Sequence, residues 1–118
     1  MEVQFEDAGG FLIAKVSGEF SLRAMLSIVE KIAAEARARH AQRVLLESLE
    51  VTGDIPDIDR YELAKRAADM LRHVERLAIV RPAHLRYTRF GIDVAHNRGL
   101  DIRAFVDAKT AEDWLNAP

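Results

Sequence analysis

Between Ser21 and Leu115 the chain alternates helix-length stretches, apolar at every third or fourth position, with short apolar runs. Few architectures admit that alternation. The runs Val44-Leu45-Leu46 and Leu77-Ala78-Ile79-Val80 are apolar throughout, as suits strands covered on both faces in a parallel sheet. Parallel neighbours need long crossovers, which helices supply and which are right-handed almost without exception. The expected class is therefore α/β with a largely parallel sheet.

A different signal precedes this pattern. Val3 to Glu6 alternates apolar and polar, Asp7-Ala8-Gly9-Gly10 marks a turn, and Phe11 to Val16 is a second strand-forming run. The opening pair should be an antiparallel hairpin, closed by Ser17-Gly18-Glu19. Ser21 is the predicted N-cap of a long helix whose apolar stripe is Leu22, Met25, Leu26, Val29, Ile32, Ala33 and Ala36. Arg43 to Leu49 is the next strand, and Glu50 to Ile58, with Gly53 and Pro56, reads as a loop. Asp59 and Glu62 resemble a capping box for a helix turning Leu63, Ala64, Ala67, Ala68, Leu71 and Val74 inward. Its small alanines predict close approach of helix to sheet.

Arg76 to Val80 is a short strand, ended by Pro82. Arg86 to Arg98 has helical spacing, with Tyr87 and Phe90 expected in the core and Gly99 at its C-terminal end. Ile102 to Phe105 is the last strand, and Asp107 caps a final helix anchored by Trp114. Val44, Leu46, Leu77, Ile79, Ile102 and Ala104 should be deeply buried on central strands. With no repeat or linker, residues 1–118 read as one domain.

Composition narrows the function. Seventeen basic and nineteen acidic residues leave a net charge of −2, without the basic excess of a nucleic-acid binder. The absence of cysteine removes disulfides, thiolate metal sites and cysteine nucleophiles. The acidic start Met1-Glu2-Val3-Gln4-Phe5-Glu6-Asp7 is unlike a signal peptide, and no apolar run suits a membrane helix, so a soluble, cytoplasmic protein is expected. No glycine belongs to a phosphate-binding loop or nucleophile elbow. His40, His73, His84 and His96 lack the helical spacing of a metal pair, and no cofactor or metal is expected.

Two local clusters remain. Asp54, Asp57 and Asp59 read first as a turn and helix start, and second as a recognition loop at the carboxyl end of a strand. Arg81, His84, Arg86 and Arg89 make a locally basic stretch around Tyr87, suited to an anion or a peripheral membrane surface when not paired with nearby carboxylates. A hydrolase using Asp57, Asp59 and His84 is the least favoured reading.

The layout resembles the STAS fold, specifically its SpoIIAA-like (STAS/CRAL-TRIO-type) branch of small bacterial proteins. The opening hairpin, the strand Arg43-Val44-Leu45-Leu46-Glu47, the strand Glu75-Arg76-Leu77-Ala78-Ile79-Val80, and the close Arg103-Ala104-Phe105-Val106-Asp107 with Ala111-Glu112-Asp113-Trp114-Leu115 carry the resemblance. It implies a sheet of about four or five strands with about four helices. It also implies a non-catalytic regulatory module acting through a protein partner, a small apolar or anionic ligand, or a second copy of itself. Similarity to lipid-transfer folds implies the alternative of an apolar-molecule carrier, with a pocket near Tyr61, Tyr87 and Phe90. STAS antagonists of anti-sigma factors carry a phosphorylatable serine in a D-S-x-G-like setting. The corresponding stretch here is Leu49-Glu50-Val51-Thr52-Gly53-Asp54, with Thr52 and Gly53 in place of the Ser and Gly and no Asp-Ser pair. A phosphate at Thr52 would face Glu50 and Asp54, so none is expected there. The candidate binding residues are Thr52, Gly53, Asp54, Arg81, His84, Arg86, Tyr87 and Arg89.

Overall fold

The computed structural model describes residues 1–84 and 89–118. Its elements are β1 (Glu2–Asp7), β2 (Leu12–Glu19), α1 (Leu22–Ala38), β3 (Arg43–Thr52), α2 (Asp57–Met70), β4 (Arg76–Val80), α3 (Phe90–Asn97), β5 (Ile102–Phe105) and α4 (Ala108–Asn116). The sheet runs β1-β2-β3-β4-β5, in sequence order. β1 and β2 are antiparallel and every later pair is parallel. A sheet that always grows in one direction through crossovers of one hand carries its connecting helices on one face.

Side chains divide accordingly. Leu12, Ala14, Val16, Val44, Leu46, Leu77 and Ile102 join the larger core with residues of α1, α2 and α3. The alternate positions Leu45, Ala78 and Val80 pack with Phe11, Ala111 and Leu115, so α4 covers the opposite face. The C-terminal end of α4 is held by two arginines at the starts of β3 and β4. Arg43 Nη1 donates to the Leu115 and Ala117 carbonyls. Arg76 donates to the carbonyls of Trp114, Ala117 and Pro118. These guanidiniums satisfy carbonyls that a helix end leaves unpaired.

Ser21 caps α1 as expected, its Oγ accepting from the Ala24 N–H at 3.2 Å. Asp107 likewise caps α4, Oδ1 accepting from the Thr110 N–H at 2.8 Å. Several expectations are corrected. β3 continues to Thr52 because Glu50, Val51 and Thr52 pair with Ser17, Gly18 and Glu19 beyond a register shift in β2. α2 starts at Asp57 after Pro56 with no side-chain cap, so Asp59 lies inside the first turn and no Asp59–Glu62 capping box forms. α3 begins only at Phe90, which is 44% exposed and not a core residue. Tyr87 and Arg86 lie outside the described residues. Trp114 is half-buried, between the Phe105 ring at 5.8 Å and the Arg103 guanidinium at 4.7 Å from its centroid. Ile79 and Ala104 are only half-buried, whereas Val44, Leu46, Leu77 and Ile102 are buried.

Candidate functional site

The partial exposure of Ile79 and Ala104 has a local cause. Both line an apolar cavity of about 250 Å³ between the sheet and α1, α2 and α3. It lies toward the carboxyl ends of β3, β4 and β5, where open α/β sheets commonly take ligands. Met25, Val29 and Ile32 of α1 form one wall, and Leu63, Ala64 and Ala67 of α2 another. The alanines do not bring α2 flat onto the sheet. α2 packs mainly against α3 and α1, and its short side chains leave space above β3 and β4. At Gly91 of α3 a Cβ would stand 3.7 Å from the Arg60 carbonyl, so a small residue suits this close helix–helix contact.

Polar groups on the cavity wall are few. Ser48 Oγ donates to the Val80 carbonyl at 2.8 Å. Arg60 and Arg81 are the charged lining residues. Arg60 Nε donates to the Ile55 carbonyl at 3.1 Å and lies 3.9 Å from Asp57 Oδ1. The Arg81 N–H donates to the Phe105 carbonyl at 2.9 Å, and its Nη1 to the Pro82 carbonyl at 3.2 Å.

Among the described residues, the predicted site residues do not form one constellation. Gly53 lines the cavity rim, at the turn from β3 into the α2 loop, with a φ of +88° that strongly favours glycine. Thr52 and Asp54 flank it and are exposed; the Thr52 carbonyl accepts from the Phe20 N–H at 2.8 Å. Arg81 joins the cavity, whereas His84 sits on an exposed turn. Arg89 is exposed and lies 3.6 Å from Asp93 Oδ1. Arg86 and Tyr87 fall outside the described residues. The described basic residues are thus divided, Arg81 at the cavity and His84 and Arg89 exposed.

Sequence reasoning missed Arg60 and the apolar wall. Leu63, Ala64 and Ala67 carried the signal, since an alanine-rich helix face produces either close packing or a void. Of the residues near which a pocket was expected, Tyr87 lies outside the described residues, and Tyr61 and Phe90 do not line the cavity although their chain neighbours Arg60 and Gly91 do. The Tyr61 and Phe90 rings stack outside the cavity, 6.4 Å apart, and with Ile58 form an exposed apolar patch. Among the described residues, no group of three or more histidine or carboxylate side chains converges to hold a metal, and no helix is long and apolar enough to cross a membrane.

Solved structures match this architecture over nearly its full length. An anti-sigma factor antagonist from Mycobacterium paratuberculosis superposes with a TM-score of 0.62 at 14% identity, over 98% of this chain and 94% of that one. An uncharacterised protein with a SpoIIAA-like fold from Shewanella loihica superposes with a TM-score of 0.55 at 19% identity, over 97% and 92%. The chain has the SpoIIAA-like fold. No protein-family model matches its sequence, and no curated protein does. Within the SpoIIAA-like fold, the β3–α2 loop contributes Gly53 and Ile55 to the cavity lining, which makes cavity and loop neighbours on one end of the sheet.

Proposed function

We propose that this protein is a non-catalytic regulatory module of the STAS type whose signal is a small apolar molecule held between the sheet and α1, α2 and α3. The cavity of about 250 Å³ is the observation that carries this reading. Its wall is made mainly of aliphatic side chains, which favour a ligand by removing apolar surface from water. No carboxylate or histidine lines it among the described residues, so a bound molecule meets no general acid or base of those types. Titration with the neutral probe N-phenyl-1-naphthylamine tests the reading. Saturable binding of one probe per chain is expected. An unsaturable or absent fluorescence response overturns it.

A second reading, docking onto a protein partner, draws support from the exposed patch and from the likeness to an anti-sigma factor antagonist. Ile58 is 74% exposed on the first turn of α2, one helical turn from Tyr61. Asp54, Asp57, Asp59 and Glu62 lie around it in sequence, which fits a partner with a basic segment rather than an anionic membrane. Ile58→Asp should abolish the capture of a basic partner that the unaltered chain shows, while leaving the melting temperature unchanged. Capture that survives the substitution removes the patch from the interface.

A further inference from the structure

The cavity has a polarity that an apolar wall alone does not require. Arg60 and Arg81 line it, and no carboxylate does among the described residues. Both arginines belong to segments at the carboxyl ends of the strands, Arg60 in the first turns of α2 and Arg81 directly after β4. Most of the remaining lining, Val29, Leu46, Leu63 and Ile79 included, is hydrocarbon.

Arg60 is oriented rather than neutralised by its partners. Its side chain is 22% exposed, and Nε is committed to the Ile55 carbonyl. Asp57 approaches only to 3.9 Å, and its carboxylate is 63% exposed, so solvent screens the pair. The terminal amino groups of Arg60 make no other hydrogen bond among the described residues. A guanidinium presents planar donors that match two oxygens of one anion. Beside a wall that excludes water, such a contact is worth more than at an open surface.

Resting on the cavity reading above, we infer that the ligand is a single-chain amphiphile with an anionic head. Its tail lies against Val29, Leu46, Leu63 and Ile79, and its carboxylate or phosphate meets Arg60 and Arg81. The volume, just below the usual range for ligand pockets, suits one short chain and not a two-chain lipid. A neutral ligand of the same length would bury the same tail but offer the Arg60 fork no charged oxygen.

Calorimetric titration of the full chain at low salt with decanoate, decyl phosphate and 1-decanol, each below its aggregation limit, tests the inference. At least one anionic ligand should bind about tenfold or more tighter than decanol, with one site per chain. Arg81→Gln should reduce that preference and leave decanol binding intact, and Arg60→Lys, which keeps the charge but not the fork, should reduce it less. Saturable binding with equal affinity for decanol and both anions overturns the anionic head while the apolar cavity stands. A failure of all three ligands to saturate overturns both. The decisive ratio is measured on the unaltered protein, so a variant that folds poorly does not remove the test.

Discussion

Leu45 and Leu46 are neighbours on β3, paired to Ala78 and Ile79 of β4 in one parallel ladder, yet truncating them should cost different amounts. Leu45 is 2% exposed and closes against α4 with Phe11, Ala78, Val80, Ala111 and Leu115. Leu45→Ala removes the transfer free energy of the lost atoms and opens a void in a dry, filled layer. At about 24 cal/mol per Å³, a residual void of roughly 70 Å³ adds about 1.7 kcal/mol, for a total of about 4 kcal/mol. Leu46 turns the other way and lines the existing cavity. Part of its surface has no close neighbour to lose, so Leu46→Ala should cost about 2 kcal/mol. Urea unfolding of both variants, fitted with a common slope, measures the difference directly. In thermal melts the gap of about 2 kcal/mol corresponds to roughly 6–12 °C. Equal losses, or a larger loss for Leu46, would refute the reasoning and show that packed side chains close the cavity.

Ala67→Leu should fill part of the cavity, abolish N-phenyl-1-naphthylamine binding and leave the melting temperature unchanged or raised, as a paired fluorescence titration and thermal melt will show. His73 has neither ring nitrogen hydrogen-bonded among the described residues, and its pKa is lowered, first by burial and then by Arg37, while the Ala33 carbonyl pulls weakly the other way. The unfolded chain therefore takes up this proton first, so stability is full above the ordinary histidine pKa and falls as pH drops through the folded value. His73→Leu should flatten that dependence in urea melts between neutral and mildly acidic pH. Asp107 is held below the usual carboxylate range by the Thr110 N–H and then the Thr110 hydroxyl. Its contribution is present above the unfolded carboxylate pKa and lost as pH falls through the folded one, so Asp107→Asn should shallow the acid limb of the stability profile.

Local chemistry made much of the fold legible. β4 and β5 have the limits expected, with Pro82 and the capping Asp107 each two residues beyond the strand end. Ser21 and Asp107 cap their helices because a short acceptor side chain before an amphipathic stretch has one favourable use. The limits of β3 and α2 were less legible. Glu50 to Thr52 extends only because β2 offers a continuing ladder, a tertiary fact that the turn-forming Gly53 and Pro56 conceal. The candidate site was the least legible part. In sequence Arg60 stands among Asp57, Asp59 and Glu62, and only the placement of α2 gives it a cavity to line. Phe90 had helical spacing, but its helix starts at that residue and leaves the ring on the outside with Tyr61.

Because each strand lies beside the one before it in sequence, the sheet can be laid down in the order in which the ribosome releases it. No strand has to wait for a distant partner, which keeps chain-closure entropy low at every addition. The exception is the face beneath α4. Leu45, Ala78 and Val80 come into register as β3 and β4 pair, but their cover, α4, follows all five strands in the chain. Until Ala111 and Leu115 arrive, a growing chain carries an apolar sheet face open to water and to other chains. The aggregation-prone interval of biosynthesis is therefore closed by one nine-residue helix.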